Sequence, residues 1–465
     1  MTRSQCEAIH AASLEILWTV GVRLQEPKAV KLLSEAGARV SDGDRVHVSA
    51  DQIDWALSQA PSSVSLYDRD GNQSLILDGS RSYYGPGSDS LSIVDHRTDE
   101  RRPPLIRDVE MATMLCQQLP NIDFVMSMFL PVDVEQSIAD RYQMRVMLNH
   151  TTKPIVFVSY DLGGCVDAVT MAQEVAGGAA ALSDHPFIAC YINTATGLLH
   201  NRDAVAKLLF LAERGIPALY IPGCISGVTG PTTIAGSVAV INAGMLVGLV
   251  LSQLKRSGAP FLMKGWGGGG LDMRTMVYGY AGPDSRRLAS HMAGFYGLPC
   301  FALGGASDSK LVDEQAAAEA ALTILADGAS GADLIHDLGY LESGLSGSLA
   351  LLVICDEIVA WTRRYLGPVE VSPDTLAIDV VREVGVEGQF LATKHTASHY
   401  REMWSPRLFE RDNYEGWMSR DGRGLGERAS ALVDEILGSA PDVSLPTSTD
   451  AVLASVVREA EARVG

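Results

Sequence analysis

The chain has 465 residues, of which 47% are hydrophobic and 20% charged, with a formal net charge of −19. That size buries a large core, while so acidic a balance repels phosphate backbones, argues against nucleic acid and modestly favours a cationic small ligand. Seven scattered cysteines without a C-x-x-C spacing form neither a disulfide framework nor a zinc cluster and fit a reducing cytoplasm, and the polar start MTRSQCEAIH has no signal-peptide core.

Residues 1–80 alternate helical stretches, near 5–20, 27–36 and 50–59, with the hairpin-like runs ARVSDGDRVHVS and VSLYDRDGNQSLIL. Their DGD and DGN turns predict a small α+β layer. From residue 81 a different rhythm begins. Six segments read as buried strands, and five start at proline, where a missing donor costs little: PIVFVSY (154–160), PFIACYIN (186–193), PALYIP (217–222), PFLMKGW (260–266), PCFALG (299–304) and ADLIHD (332–337). Their starts are 32, 31, 43, 39 and 33 residues apart, the length of a strand, a loop and a helix. Repeated βα units imply parallel strands. RSYYGPG (81–87) and DFVMSMF (123–129) bring the count to eight, the number in a closed barrel. LSIVDHRTDERRPPL (91–105) reads as a hairpin interrupting the first unit.

The expected fold is therefore α/β: a (β/α)8 TIM barrel over 81–366, with the N-terminal α+β layer of 1–80 and a helical C-terminal extension over 367–465. The apolar stretch 232–254 holds Ser237, Asn242 and Gln253 between two strands. It is expected to be a helix buried on most sides, with another subunit as one possible cover, rather than a membrane span. The closing helix, 347–365, is expected to expose Asp356 and Glu357.

Catalysis in such a barrel sits at the strand C-termini. Those positions carry Tyr83, Tyr84 and Asp89; Tyr160 and Asp161; Tyr191, Asn193 and Thr194; Cys224; Lys264 and Trp266; Ser307, Asp308 and Lys310; and His336, Asp337, Tyr340 and Glu342. Tyr84, Tyr160, Tyr191, Trp266 and Tyr340 are unexpected in a chain only 6% aromatic. One at a time they are core caps; around one mouth they form a cation–π cage for a quaternary ammonium group. His336 stands in an apolar strand at that mouth. The glycines Gly267 to Gly270, Gly304 and Gly305 bare the backbone, but no phosphate-loop pattern accompanies them. Lys264 offers a second chemistry, a Schiff base with a carbonyl substrate. Metal spacing is lacking: His395 and His399 lie outside the barrel units, and no intrinsic metal is expected.

Three stretches carry a resemblance. They are G-G-x-S-D-S-K-x-x-D-x-Q-A with A-D-L-I-x-x-x-G-x-L-x-S-G and D-E-I inside 304–366, then DTLAIDVVREVG (374–385) and FLATKHT (390–396), and WSPRLFERDNYEGW (404–417). They resemble the trimethylamine methyltransferase family. The resemblance implies a (β/α)8 barrel that passes a methyl group from a methylated amine to Co(I) of a cobamide on a cognate corrinoid protein. Family members that act on trimethylamine use pyrrolysine, expected near 339–341. Only standard residues stand there in this chain, which points to the branch similar to glycine betaine methyltransferases. Fitted to the rim positions, that chemistry gives expected catalytic roles to His336, Tyr340 and Asp308 and expected substrate contacts to Tyr84, Tyr160, Asn193, Trp266 and Glu342, with His336 and Asn193 able to hold a betaine carboxylate. The corrin side falls to Gly267, Gly268, Gly304, Gly305 and Ser307. A cytoplasmic homo-oligomer, assembled through 232–254 or the C-terminal helices, is expected, with a Lys264 lyase or a non-catalytic betaine-binding protein as alternatives.

Overall fold

The computed structural model describes residues 1–283 and 288–464. Seven parallel strands run in chain order as β1 (Tyr83–Pro86), β2 (Ile155–Val158), β3 (Ile188–Asn193), β4 (Ala218–Ile221), β5 (Phe261–Lys264), β6 (Cys300–Leu303) and β7 (Leu334–Leu338). They lie side by side in the order β1-β7-β6-β5-β4-β3-β2. The extended segment 123–126 fills the gap between β2 and β1. Its Asp123 N donates to Tyr84 O at 2.7 Å, its Val125 N to Pro154 O at 2.9 Å, and Val125 O accepts from Val156 N at 2.9 Å. The ring is thus closed by eight chain segments, as in a (β/α)8 barrel, and the expected prolines stand just before β2 to β6.

Side-chain alternation divides the core in two. Phe124, Val156, Ala189, Leu219, Leu262, Phe301 and Leu334 pack inside the barrel. Their neighbours Val125, Phe157, Cys190, Ala218, Phe261, Ala302 and Ile335 face the surrounding helices. The hairpin Val64–Tyr67 with Gln73–Leu77 plugs the N-terminal end: Leu66, Leu75 and Leu77 join the interior cluster, and Tyr67 N donates to Pro186 O at 2.9 Å. The strand C-termini at the opposite end are therefore where a site is sought.

The apolar stretch forms the helix Ile234–Lys255, which is long and apolar enough to cross a membrane, yet 83% of its most apolar window is buried within the fold. Helices Arg3–Thr19, Pro27–Glu35, Ala50–Gln59 and Arg202–Arg214 cover it, so one chain supplies the burial. The closing helix spans Leu349–Leu366, and here the expectation of exposed carboxylates fails. Asp356 and Glu357 are buried, because their oxygens accept backbone N–H groups of distant segments, Asn121 at 2.8 Å and Arg407 at 2.9 Å. Beyond it, the short helices Pro373–Leu376, Ile378–Val384, Lys394–His399 and Tyr414–Met418 bury none of their residues. Leu425–Ser439 and Thr447–Val464 return to the barrel, where Arg463 pairs with Asp167 at 2.7 Å.

Candidate active site at the barrel mouth

The interior positions that follow the apolar layer towards the strand C-termini are Tyr191 on β3, Lys264 on β5, Trp266 just beyond it, and His336 on β7. Register brings them together. His336 stacks on Phe301 with centroids 4.1 Å apart, and meets Tyr191 at 5.5 Å and Trp266 at 5.8 Å. Tyr191 and Trp266 also touch Phe301, at 5.5 and 6.3 Å. Four rings thus line one side of the mouth.

Charge is distributed unevenly around these rings. Lys264 is 3% exposed. Its Nζ donates to the Pro222 carbonyl at 3.2 Å and lies 4.6 Å from the centre of the Trp266 ring. Burial pulls the ammonium down to about 7. Beside His336, a bulge shifts register between Ile335 and Leu338, and Asp337 takes a positive φ of 81°. That turn brings the Asp337 carboxylate to the mouth, where it accepts from the Tyr280 hydroxyl and lies 2.6 Å from His336 Nδ1. The His336 approach lacks hydrogen-bond geometry, and neither of its buried ring nitrogens has a hydrogen-bond partner among the described residues.

Segment 265–283 folds over this cluster. Its strands Gly269–Asp272 and Val277–Tyr278 pair antiparallel, and Gly269 and Gly270 pair with Ile225 and Ser226. Tyr280 then reaches inward beside Tyr191, Asp337 and Tyr340, and burial pushes its hydroxyl pKa well up. Asp308 holds the segment down: its carboxylate accepts Tyr280 N at 3.0 Å and Ser343 Oγ at 2.9 Å.

The remaining candidates are placed as follows. Tyr340 is buried with its ring over Gly87, and its hydroxyl donates to the Ser88 carbonyl. Tyr84 points away from the mouth, into the outer core beneath Arg363, because Tyr83 takes the interior parity of β1. Tyr160 is a rim residue, 39% exposed, its N–H donating to Asp140 at 3.1 Å. Asn193 is exposed at the end of β3. Glu342 is engaged by Arg101 at 2.9 Å and Ser346 Oγ at 2.6 Å. Ser307 Oγ donates to Glu319 at 2.6 Å, and Lys310 Nζ bonds the Asp308 carbonyl rather than its carboxylate.

The glycines serve the protein's own packing. Gly267 and Gly268 are buried; a Cβ on Gly268 would come within 2.9 Å of the Cys224 carbonyl, and one on Gly304 within 2.7 Å of Ile335. Gly305 has φ +77° and lies against Leu338.

Sequence reasoning missed Phe301, Tyr280 and Glu319, and gave no role to Asp89. Burial pushes the Asp89 carboxyl up to about 6, between donors Gln143 Nε2 at 2.8 Å and Ser127 Oγ at 3.2 Å. The Y-G-Y run at 278–280 was the legible signal for Tyr280.

A barrel whose mouth gathers aromatic rings and buried charges has the form of a small-molecule enzyme. The profile of the trimethylamine methyltransferase (MTTB) family matches residues 1–465. A trimethylamine methyltransferase MttB of Desulfitobacterium hafniense is 31% identical over 98% of this chain and 93% of its own length. A glycine betaine methyltransferase of the same species is 26% identical over 100% and 98%, and the MttB of Methanosarcina thermophila is 26% identical over 94% and 92%. The monomethylamine methyltransferase of Methanosarcina barkeri shares the fold, with a TM-score of 0.52 at 13% identity over 94% of this chain and 87% of its own. The chain belongs to the trimethylamine methyltransferase family and is a methyltransferase.

Proposed function

We propose that this protein moves a methyl group from a betaine-type quaternary amine to the Co(I) of a cobamide on a cognate corrinoid protein, without pyrrolysine. The observation that carries the reading is the cluster of Tyr191, Trp266, Phe301 and His336 at the barrel mouth. A tetraalkylammonium donates no hydrogen bonds, so ring faces and a nearby carboxylate are what can hold it. Tyr191, Trp266 and Asp337 serve as its walls, with Tyr160 at the rim. A relative named for glycine betaine supports the quaternary class, while those named for trimethylamine, a tertiary amine, support a methylated amine more broadly.

A quaternary amine needs no activating residue. As the cobalt nucleophile attacks the N-methyl carbon, the C–N pair leaves with nitrogen as a neutral tertiary amine, and a Co–C bond forms. The protein's task is then positioning and exclusion of water. Ordinary residues fill 339–341: Tyr340 bonds to Ser88 and Leu341 is buried. The corrinoid protein docks on the mouth as the carrier of the methyl acceptor, which requires Tyr280 to swing clear of Asp337. His336 orients the amine from its Phe301 stack, while Asp308, Tyr340, Ser307 and Glu342 hold the loops around it.

Residues 81–366 act as the catalytic barrel, with 1–80 and 367–465 as its elaborations. The four short helices between residues 373 and 418 support a homo-oligomer, since helices that bury nothing within their own chain are marginal alone, although Leu408 between them is anchored in the core. The protein works in the cytoplasm, where a reduced corrinoid partner is available.

The test mixes enzyme, amine and Co(I)-cobamide and follows methyl-cobalt absorbance. Its appearance with a betaine is the expected result. No transfer from any betaine, with a cognate corrinoid protein present, would refute the proposal. Calorimetric binding without transfer would leave only a binding protein.

A further inference from the structure

We propose that Lys264 is the receptor for the carboxylate of the substrate, so that the site selects a zwitterion held with its acid on the β5 side and its ammonium on the β7 side. The inference rests on the quaternary-amine reading above and adds the charge pattern of the ligand and the residue that reads it.

Lys264 shares the interior parity of Leu262, so its side chain enters the barrel rather than the helical shell. Its Nζ has three donors. Within the described residues the Pro222 carbonyl is the hydrogen-bond acceptor it reaches, and no ion pair forms. A buried ammonium without a counter-charge is costly unless an anion arrives. The stem has no escape to solvent, because Lys264 is 3% exposed, and its tip lies 4.6 Å from the centre of the Trp266 ring at the mouth. The position is therefore a buried cation beside the mouth.

The opposite pole is equally specific. Asp337 is buried, turned to the mouth by its positive φ, and adjoins His336 and Tyr280. A carboxylate placed against His336 would face that Asp337 charge. Placed against Lys264 it meets unused donors, and the ammonium then falls among Tyr191, His336 and Asp337. Asn193, exposed at the end of β3, lies within reach of the Tyr191 hydroxyl and so borders the ammonium side rather than Lys264. The order of charges across the mouth thus matches a betaine in one orientation, whereas a plain tetraalkylammonium fills only the Asp337 side and leaves Lys264 unanswered.

Calorimetry on the full chain tests this with glycine betaine, choline and tetramethylammonium against wild type and Lys264→Met. Choline keeps the trimethylammonium head but carries a hydroxyl where the betaine has its carboxylate. Wild type should bind glycine betaine more tightly than choline by roughly tenfold to a hundredfold, the range for a charge-assisted bond. Lys264→Met should abolish that gap and leave choline and tetramethylammonium within about threefold of wild type. If wild type binds choline as well as the betaine, or the gap survives in Lys264→Met, the carboxylate role is overturned while the quaternary-amine reading stands. Binding of none of the three would overturn that reading and the inference with it. Should Lys264→Met fail to fold, Lys264→Gln takes its place: the betaine–choline gap should collapse in it as well, and a gap that survives overturns the role.

Discussion

The imidazole of His336 lies flat on the ring of Phe301, with planes 16° apart and centroids separated by 4.1 Å. Stacking fixes the plane of the histidine and leaves its buried nitrogens at the edge, where neither forms a hydrogen bond among the described residues although the Asp337 carboxylate lies 2.6 Å from Nδ1. Such atoms cost folding free energy until a ligand or water satisfies them. His336→Phe keeps the stacked shape and removes the orphaned nitrogens. It also removes the Nδ1 contact with the buried Asp337 carboxylate, which opposes that gain, so the variant should stay folded within about 1–2 kcal/mol of wild type yet lose methyl transfer. Denaturant unfolding and the methyl-cobalt assay check both halves; a folded variant with full activity would remove the imidazole from the mechanism.

Trp266 presents a ring to the mouth while its other contacts are Phe301, His336 and the Lys264 tip. Trp266→Ala should weaken quaternary-amine binding by about 1–2 kcal/mol with the fold intact, and Trp266→Phe should cost less because a π face survives. Calorimetry with glycine betaine measures both. Unchanged affinity in the alanine variant would take the tryptophan out of the site.

Tyr280 joins segment 265–283 to the barrel through Asp337, and Asp308 grips the same segment by its backbone. Tyr280→Phe removes one of these two ties and leaves the ring in place. Amide exchange should rise across 269–283 while β1 to β7 keep their protection. Asp308→Asn should loosen the same stretch less, because its remaining carbonyl oxygen still accepts. Exchange that rises instead through the whole barrel would make Tyr280 a fold residue and not a tie on a movable cover.

The barrel was legible because the prolines before β2 to β6 and the spacing of those strands carry a strong signal. The mouth was only partly so. Parity within a four-residue strand is not written in its composition: Tyr83 and Tyr84 look alike, but only the register of β1 against β7 decides that Tyr83 faces inward. Phe301 was hidden for the same reason. Tyr280 lay in a glycine-rich run that reads as turns, and its partner Asp337 is 57 residues away. Asp356 and Glu357 look like solvent-facing charges until the chain brings Asn121 and Arg407 to them. Local pattern finds strands and helices, whereas long-range backbone donors are visible only after folding.

Lys264 also leaves a mark on stability. Its folded pKa is pulled down to about 7 from an ordinary 10.5, by burial first, with Cys224 acting weakly the other way. Below pH 7 the lysine is charged in both states, and the native protein bears the whole cost of the buried ammonium. Between about 7 and 10.5 the unfolded chain binds a proton that the native state does not, so this contribution to stability rises with pH. Lys264→Met removes the buried charge. Its unfolding free energy should therefore exceed that of wild type at pH 6 by a few kcal/mol, with about 5 kcal/mol as the ceiling for such a shift. At pH 10 the advantage should have shrunk to a small fraction. Urea unfolding of both proteins at the two pH values measures it, and an advantage of the same size at each would mean that Lys264 is not an uncompensated ammonium in the empty site.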